Sequence, residues 1–168
     1  LLRNEGRSRL LELGCGPGHD AAAFLEAGID AVGLDLAVGN ATLGAKRGVR
    51  IVAGSIAAPP FCRDSFDAGW SMSTLMHVPE SEVGVVVARM VRPLRAGTPL
   101  MVGLWGGERR DETDTTRLPG ERRLFSLRPL ERNAELLSAA GSIEASEIRH
   151  FMPLMSETKV FISIAITR

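Results

Sequence analysis

Apolar residues fall into short runs separated by glycine turns and amphipathic stretches. Residues 9–13 (RLLEL) form one such run, which stops at Gly14-Cys15-Gly16-Pro17-Gly18, and an alanine-rich helical stretch follows over residues 19–27. Residues 30–36 (DAVGLDL) read as a second strand, residues 37–46 as a short helix and residues 49–53 as a third strand. That period is the period of βαβ units and predicts a parallel sheet with right-handed crossovers. A fourth strand is predicted over residues 65–71 (SFDAGWS), after the turn at Pro59-Pro60. A helix over residues 80–91 has Pro79 just ahead of it, and a fifth strand spans residues 100–105.

Beyond the fifth strand the pattern weakens. Residues 106–120 are polar, mixed in charge and without periodicity, which predicts an exposed, mobile loop. Ser126 is read as the cap of an amphipathic helix over residues 131–140 that stops at Gly141. Two last strand-like runs, residues 143–150 and 159–167, are joined around Pro153 with no room for a crossover helix, so they are expected to pair antiparallel. The expected fold class is α/β: a Rossmann-like, doubly wound, mostly parallel seven-stranded sheet with a final antiparallel hairpin, in one domain over residues 1–168.

Composition narrows the functional classes. A chain of 168 residues, 45% hydrophobic, can bury roughly 70% of the surface its unfolded form exposes and needs no disulfide or metal staple. Lys plus Arg and Asp plus Glu balance at 20 each, whereas domains that bind by neutralising phosphates carry a basic excess, so no nucleic-acid partner is expected. The longest stretches free of charged residues, such as 51–62 and 68–79, run 12 residues, short of the roughly 18 that cross a bilayer. No membrane partner is expected. Cys15 and Cys62 lack CxxC spacing, and two Cys with three His make no zinc-finger ligand set, so no metal is expected and a reducing cytoplasm is the default. Residues 1–9 lack the apolar run of a secretory signal. The preference for Arg over Lys and the absence of Tyr read as genome composition.

The glycine turn is where a ligand is expected, because Gly14, Gly16 and Gly18 let backbone approach it closely. A dinucleotide fingerprint GxGxxG counted from Gly14 would need glycine at residue 19, which is His19. Glu12, two residues before the first glycine, suits a cationic ligand that carries an amino acid. Asp35 ends the second strand, where a carboxylate can accept both hydroxyls of a ribose. The bland readings stay open: a tight βα turn for residues 14–18, and solvated or helix-facing carboxylates for Glu12 and Asp35.

Three strings, LLELGCGPGHD (residues 10–20), GLDLA (33–37) and APPFCRDSFDAGWSMSTLMHVP (58–79), resemble the class I S-adenosylmethionine-dependent methyltransferases, most nearly their small-molecule branch. The resemblance covers residues 9–105 well. It is weaker from 123 to 168, where it rests on FSLRPLERNAELLSAAG (125–141). It implies S-adenosyl-L-methionine as cofactor and a small-molecule methyl acceptor. By position, Gly14, Cys15, Gly16 and Gly18 would cradle the methionine part, and Glu12 would contact its ammonium. Asp35 would hold the ribose, with Leu36 against the adenine. Ser55 stands where the family usually has an Asp for the adenine amino group, with Ile56 beside it, and Ser71 and Met72 would approach the methionine portion.

His77 lies in the HVP motif and is either a base for an acceptor hydroxyl or a histidine that packs or bonds to backbone. Cys15 is read as a small turn residue, Asp20 as a partner of its helix dipole, Trp70 and Trp105 as packing, and Met72, Met76 and Met101 as core or pocket wall. Two departures from the family are visible: Arg95-Ala96-Gly97-Thr98 replaces an RPGG turn, and only about eight residues precede the first strand where relatives carry covering helices.

The resemblance implies methyl transfer to O, N or C of a small molecule, a reaction that needs alignment and water exclusion rather than a protein nucleophile. The alternatives are a cofactor-binding pseudoenzyme or interaction domain without turnover, and a nicotinamide-dependent oxidoreductase, which His19 disfavours. Oligomeric state is not read from the sequence.

Overall fold

The computed structural model describes residues 6–114, 122–149 and 159–168. Strands β1 (Arg9–Leu13), β2 (Asp30–Asp35), β3 (Arg50–Ala53), β4 (Ala68–Met72), β5 (Pro99–Gly107), β8 (Ser142–Arg149) and β9 (Lys159–Thr167) form one seven-stranded sheet in the order β3-β2-β1-β4-β5-β9-β8. The first five run parallel, and β9 is antiparallel to both β5 and β8. The expected sheet and its closing hairpin are therefore present. The chain reverses outward after β1 to β2 and β3, then crosses back to β4, so the carboxyl ends of β1 and β4 flank the switch point where doubly wound sheets bind ligands.

Alternation along β1 sorts its side chains between two layers. Leu11 and Leu13 join Val32, Leu34, Val83, Val87, Met90 and Leu137 on the face covered by α3 (Glu80–Met90) and α4 (Leu130–Leu137). Leu10 points the other way, among Ala21, Ala31, Val49 and Ala68, beneath α1 (His19–Glu26) and α2 (Val38–Ala45). Glu12 shares the period of Leu10, so β1 delivers a carboxylate into the α1 layer. Both sheet faces are covered, which is why the parallel strands read as nearly continuous apolar runs.

Two expectations are corrected. Residues 106–120 are not a loop throughout: β5 continues to Gly107, and β6 (Arg110–Asp114) pairs antiparallel with β7 (Arg123–Leu127) as a separate two-stranded sheet. The polar sequence concealed it because a ribbon with one solvated face needs few apolar residues. Ser126 does not cap the following helix. It lies in β7, and α4 starts after Pro129 with no side-chain cap; a 3-10 turn, Ser138–Ala140, completes the predicted helix. Residues 115–121, His150 and the connection around Pro153 lie outside the described residues.

Candidate functional site

β1 ends at Leu13 and the chain turns through Gly14, Cys15 and Gly16 under the lip of β2, with the Gly14 and Cys15 amides donating to the Leu34 carbonyl at 2.7 and 3.1 Å. Gly14 has φ +75°, and a Cβ there would overlap the Thr74 side chain. Thr74 Oγ1 lies 3.2 Å from the Leu13 carbonyl oxygen and 3.3 Å from that of Gly14, so the segment after β4 is packed directly on the turn. Gly16, at φ +52°, is the contrasting case: a Cβ there would meet no atom of the described residues within 4 Å. The turn is closed on the Gly14 side and open at Gly16.

Three carboxylates surround this turn. Glu12 is only 4% exposed, and its Oε2 has no hydrogen-bond partner among the described residues. Burial, with Asp20 and then Asp35 adding repulsion, pushes its carboxyl up to about 8. Asp35 Oδ2 accepts the Gly16 amide at 2.7 Å, while Oδ1 accepts the Ala37 amide at 2.9 Å and Asn40 Nδ2 at 2.8 Å. Asp20 accepts Trp70 Nε1 at 2.8 Å, and Trp70 meets Phe24 edge to face. Asp20 thus does more than face the dipole of α1, and Trp70 is a packing residue as expected.

Cys15 is buried against the place where a Cβ on Gly33 would lie, and burial with Glu12 and Asp35 raises its thiol to about 12. Proximity to the start of α1 does not activate it. Gly18 immediately precedes α1. Leu36, next to Asp35, is 77% exposed. After β3, Ser55 Oγ accepts the Ala57 amide at 3.1 Å, and Ile56 packs on the main core. Ser71 is buried and donates to the Leu13 carbonyl at 2.9 Å, tying β4 to β1. Met72 is half-buried at the end of β4, where its carbonyl accepts Thr74 Oγ1 at 3.0 Å. Ser73 follows at φ +55°, uncommon for a residue with a Cβ and the kind of strain that collects at functional sites.

His77 ends a 3-10 turn, Leu75–His77, whose Leu75 and Met76 side chains are buried. Its Nδ1 lies 2.7 Å from the Leu124 carbonyl oxygen of β7, and its ring stands edge to face on Phe125 at 4.8 Å. A carbonyl only accepts, so Nδ1 carries the proton and the neutral ring keeps its lone pair on Nε2. Glu80, at the start of α3, pairs with Arg109 Nε at 3.0 Å and Arg132 Nε at 2.8 Å, joining the β6 end of the ribbon to α3 and α4.

The structure therefore gathers Glu12, Gly14, Cys15, Gly16, Gly18 and Asp35 around one turn. Ser71 and Met72 lie at its β4 side, and His77 sits one short turn beyond. Thr74, Asn40 and Arg128 were missed. Asn40 lies five residues after Asp35, a spacing that brings a side chain in the first turn of a helix back to the strand end. Thr74 and Arg128 leave no comparable sequence signal.

The sequence profile of the methyltransferase domain family matches residues 10–97, which contain the turn, Asp35, Ser55 and the whole segment from β4 to α3. The chain belongs to this family. The chain is 32% identical over 96 residues to a demethylmenaquinone methyltransferase of Renibacterium salmoninarum, an alignment covering 56% of this chain and 40% of that relative. A Methanosarcina mazei S-adenosylmethionine-dependent methyltransferase superposes with a TM-score of 0.81 at 16% identity, covering 96% of this chain and 94% of that one. A Burkholderia thailandensis 1,6-didemethyltoxoflavin-N1-methyltransferase, bound to 1,6-didemethyltoxoflavin and S-adenosylhomocysteine, superposes with a TM-score of 0.75 at 24% identity, covering all of this chain and 75% of that one.

Proposed function

We propose that this chain transfers a methyl group from S-adenosylmethionine to an O, N or C atom of a small molecule. The observation that carries the reading is the buried, unpartnered Glu12 Oε2 beneath a glycine turn open at Gly16. An isolated buried carboxylate is costly, and an ammonium beside it would supply the missing partner. Asp20 and Asp35 add to the same negative field. The residues thus fit a cationic amino-acid nucleoside: Glu12 for the ammonium, Gly14, Cys15, Gly16 and Gly18 around the methionine part, and the open lone pair of Asp35 for the ribose. Leu36 offers exposed apolar surface to the adenine, with Ser55, Ile56, Ser71 and Met72 completing the wall.

When bound, the cofactor supplies an electrophilic methyl group on a sulfonium, so the protein's work is alignment and exclusion of water. His77 is the group that can take a proton from an acceptor hydroxyl, at Nε2, since Nδ1 is held on Leu124. A small-molecule acceptor is supported by the Burkholderia neighbour, which holds 1,6-didemethyltoxoflavin beside S-adenosylhomocysteine. The chain spans 40% of the length of the demethylmenaquinone methyltransferase it matches, so no acceptor is carried over from that relative.

Ser55 favours a second reading, a cofactor-binding domain without turnover, because its hydroxyl replaces a carboxylate and already accepts the Ala57 amide. Incubation with methyl-labelled cofactor and a panel of hydroxyl, amine and carbon acceptors separates the two. Transfer supports the enzyme, binding without transfer across the panel favours the second reading, and failure to bind cofactor removes both.

A further inference from the structure

Arg128, immediately after β7, is fully buried and bonds to no carboxylate among the described residues. Its Nη2 donates to the Leu75 carbonyl at 3.0 Å, and its Nη1 to the Val78 carbonyl at 3.3 Å and Ser126 Oγ at 2.9 Å. Nε donates to Asn133 Oδ1 at 3.1 Å, and Asn133 Nδ2 donates back to the carbonyls of Arg128 and Pro129 at 3.0 and 3.1 Å. Glu80 and Asp111 act on it only through space, and burial dominates, pulling the guanidinium below its ordinary value. Desolvating a guanidinium is costly, and without a bonded anion that cost is offset only by the neutral oxygens around it. Such an arrangement is expensive as mere packing, since an apolar side chain of similar volume is often as stable in such a place.

The fork's position suggests what it accomplishes. The two carbonyls it grips, of Leu75 and Val78, bracket His77, and its own backbone continues from β7, whose Leu124 carbonyl holds His77 Nδ1 and whose Phe125 meets the ring. One rigid planar group therefore fixes the register between the 3-10 turn and β7, the two pieces that orient the imidazole. We propose that Arg128 is a positioning residue for His77, locking residues 75–78 against β7 so that Nδ1 stays on Leu124 and Nε2 stays free to take a proton. The proposal rests on the reading of His77 as the base, but the placement is measurable without turnover. A lysine has donors but no fork, and cannot span Leu75, Val78 and Asn133 together.

Long-range proton–nitrogen spectra of the histidine rings test it, with His77→Gln identifying the His77 signals. In the full chain, His77 is expected as a single Nδ1-protonated tautomer. In Arg128→Met it is expected to become a mixture of tautomers, with Arg128→Lys in between. Should Arg128→Met fail to fold, Arg128→Lys and Asn133→Ala, each leaving a buried cation with fewer ties, are expected to show the same loss of a single tautomer. An unchanged His77 signal in folded Arg128→Met, or in both milder variants, overturns the proposal. With an acceptor in hand, Arg128→Met is expected to lower kcat by about 10- to 100-fold, less than the roughly 100- to 10,000-fold of losing a proton-transfer group outright, and to add nothing further in a His77→Gln background; full additivity also overturns it. If His77→Gln turns over normally while the tautomer shift is seen, the base assignment fails and the positioning of the ring stands.

Discussion

The Asp35 carboxylate accepts the Gly16 amide at 2.7 Å, so the acid at the end of β2 holds the open end of the glycine turn that follows β1. With Asn40 and the Ala37 amide on the other oxygen, the carboxylate is oriented before any ligand arrives, leaving a lone pair of Oδ2 for a donor. Asp35→Ala is therefore expected to weaken S-adenosylhomocysteine binding by at least about tenfold, from the loss of a charge-assisted bond and of the turn's anchor. Asp35→Asn should be intermediate. Calorimetric titration measures both.

Gly14 and Gly16 are expected to respond oppositely to the same substitution. Gly14→Ala drives a methyl into Thr74 at a positive φ and should destabilise the fold by about 2 kcal/mol or more. Gly16→Ala meets no atom of the described residues, so its stability cost is the backbone term alone, about 1 kcal/mol, while its methyl enters the space offered to the ligand. Urea denaturation and cofactor titration of the two variants, side by side, check the contrast.

Glu12 makes stability and binding depend on pH. Its folded value, about 8, lies above the ordinary 4.5, so the folded state retains a proton that the unfolded chain releases between those values. This group's contribution therefore favours folding most at low pH, declines by about 1.4 kcal/mol per pH unit through that window, and levels off above it. Glu12→Gln should flatten the decline in ligand-free protein. A cationic ligand needs the ionised form, so its affinity should rise with pH toward 8, with proton release on binding below that value.

Thiol reactivity should divide cleanly between the two cysteines. Cys62 is exposed, while Cys15 is buried with its thiol raised to about 12. Maleimide at pH 8 is expected to label one site per folded chain, lost in Cys62→Ser. Labelling at Cys15 in folded protein would contradict the enclosure of the turn.

The mostly parallel sheet, its closing hairpin and the glycine turn were legible because they rest on local signals: apolar runs of strand length, the glycines at 14, 16 and 18, and an acid closing the second strand. What escaped reading is non-local. The β6–β7 ribbon is polar and shows no period that distinguishes it from a loop. Ser126 looked like a cap because it precedes a helix, yet its hydroxyl belongs to Arg128, and no sequence rule marks an arginine as buried when its partners are carbonyls 50 and 53 residues away. The Glu12 carboxylate was legible as a candidate, but its orphaned oxygen depends on how Asp20 and Asp35 pack around it.

The central claim is that the turn beneath Gly16 receives a sulfonium nucleoside carrying an amino acid. Calorimetric titration of S-adenosylhomocysteine, with NAD as the comparison ligand, addresses it most directly. The account predicts one site, an affinity lost in Gly16→Ala although that variant stays folded, and no comparable binding of NAD. Absence of S-adenosylhomocysteine binding by the folded chain, or equal affinity in folded Gly16→Ala, would contradict it.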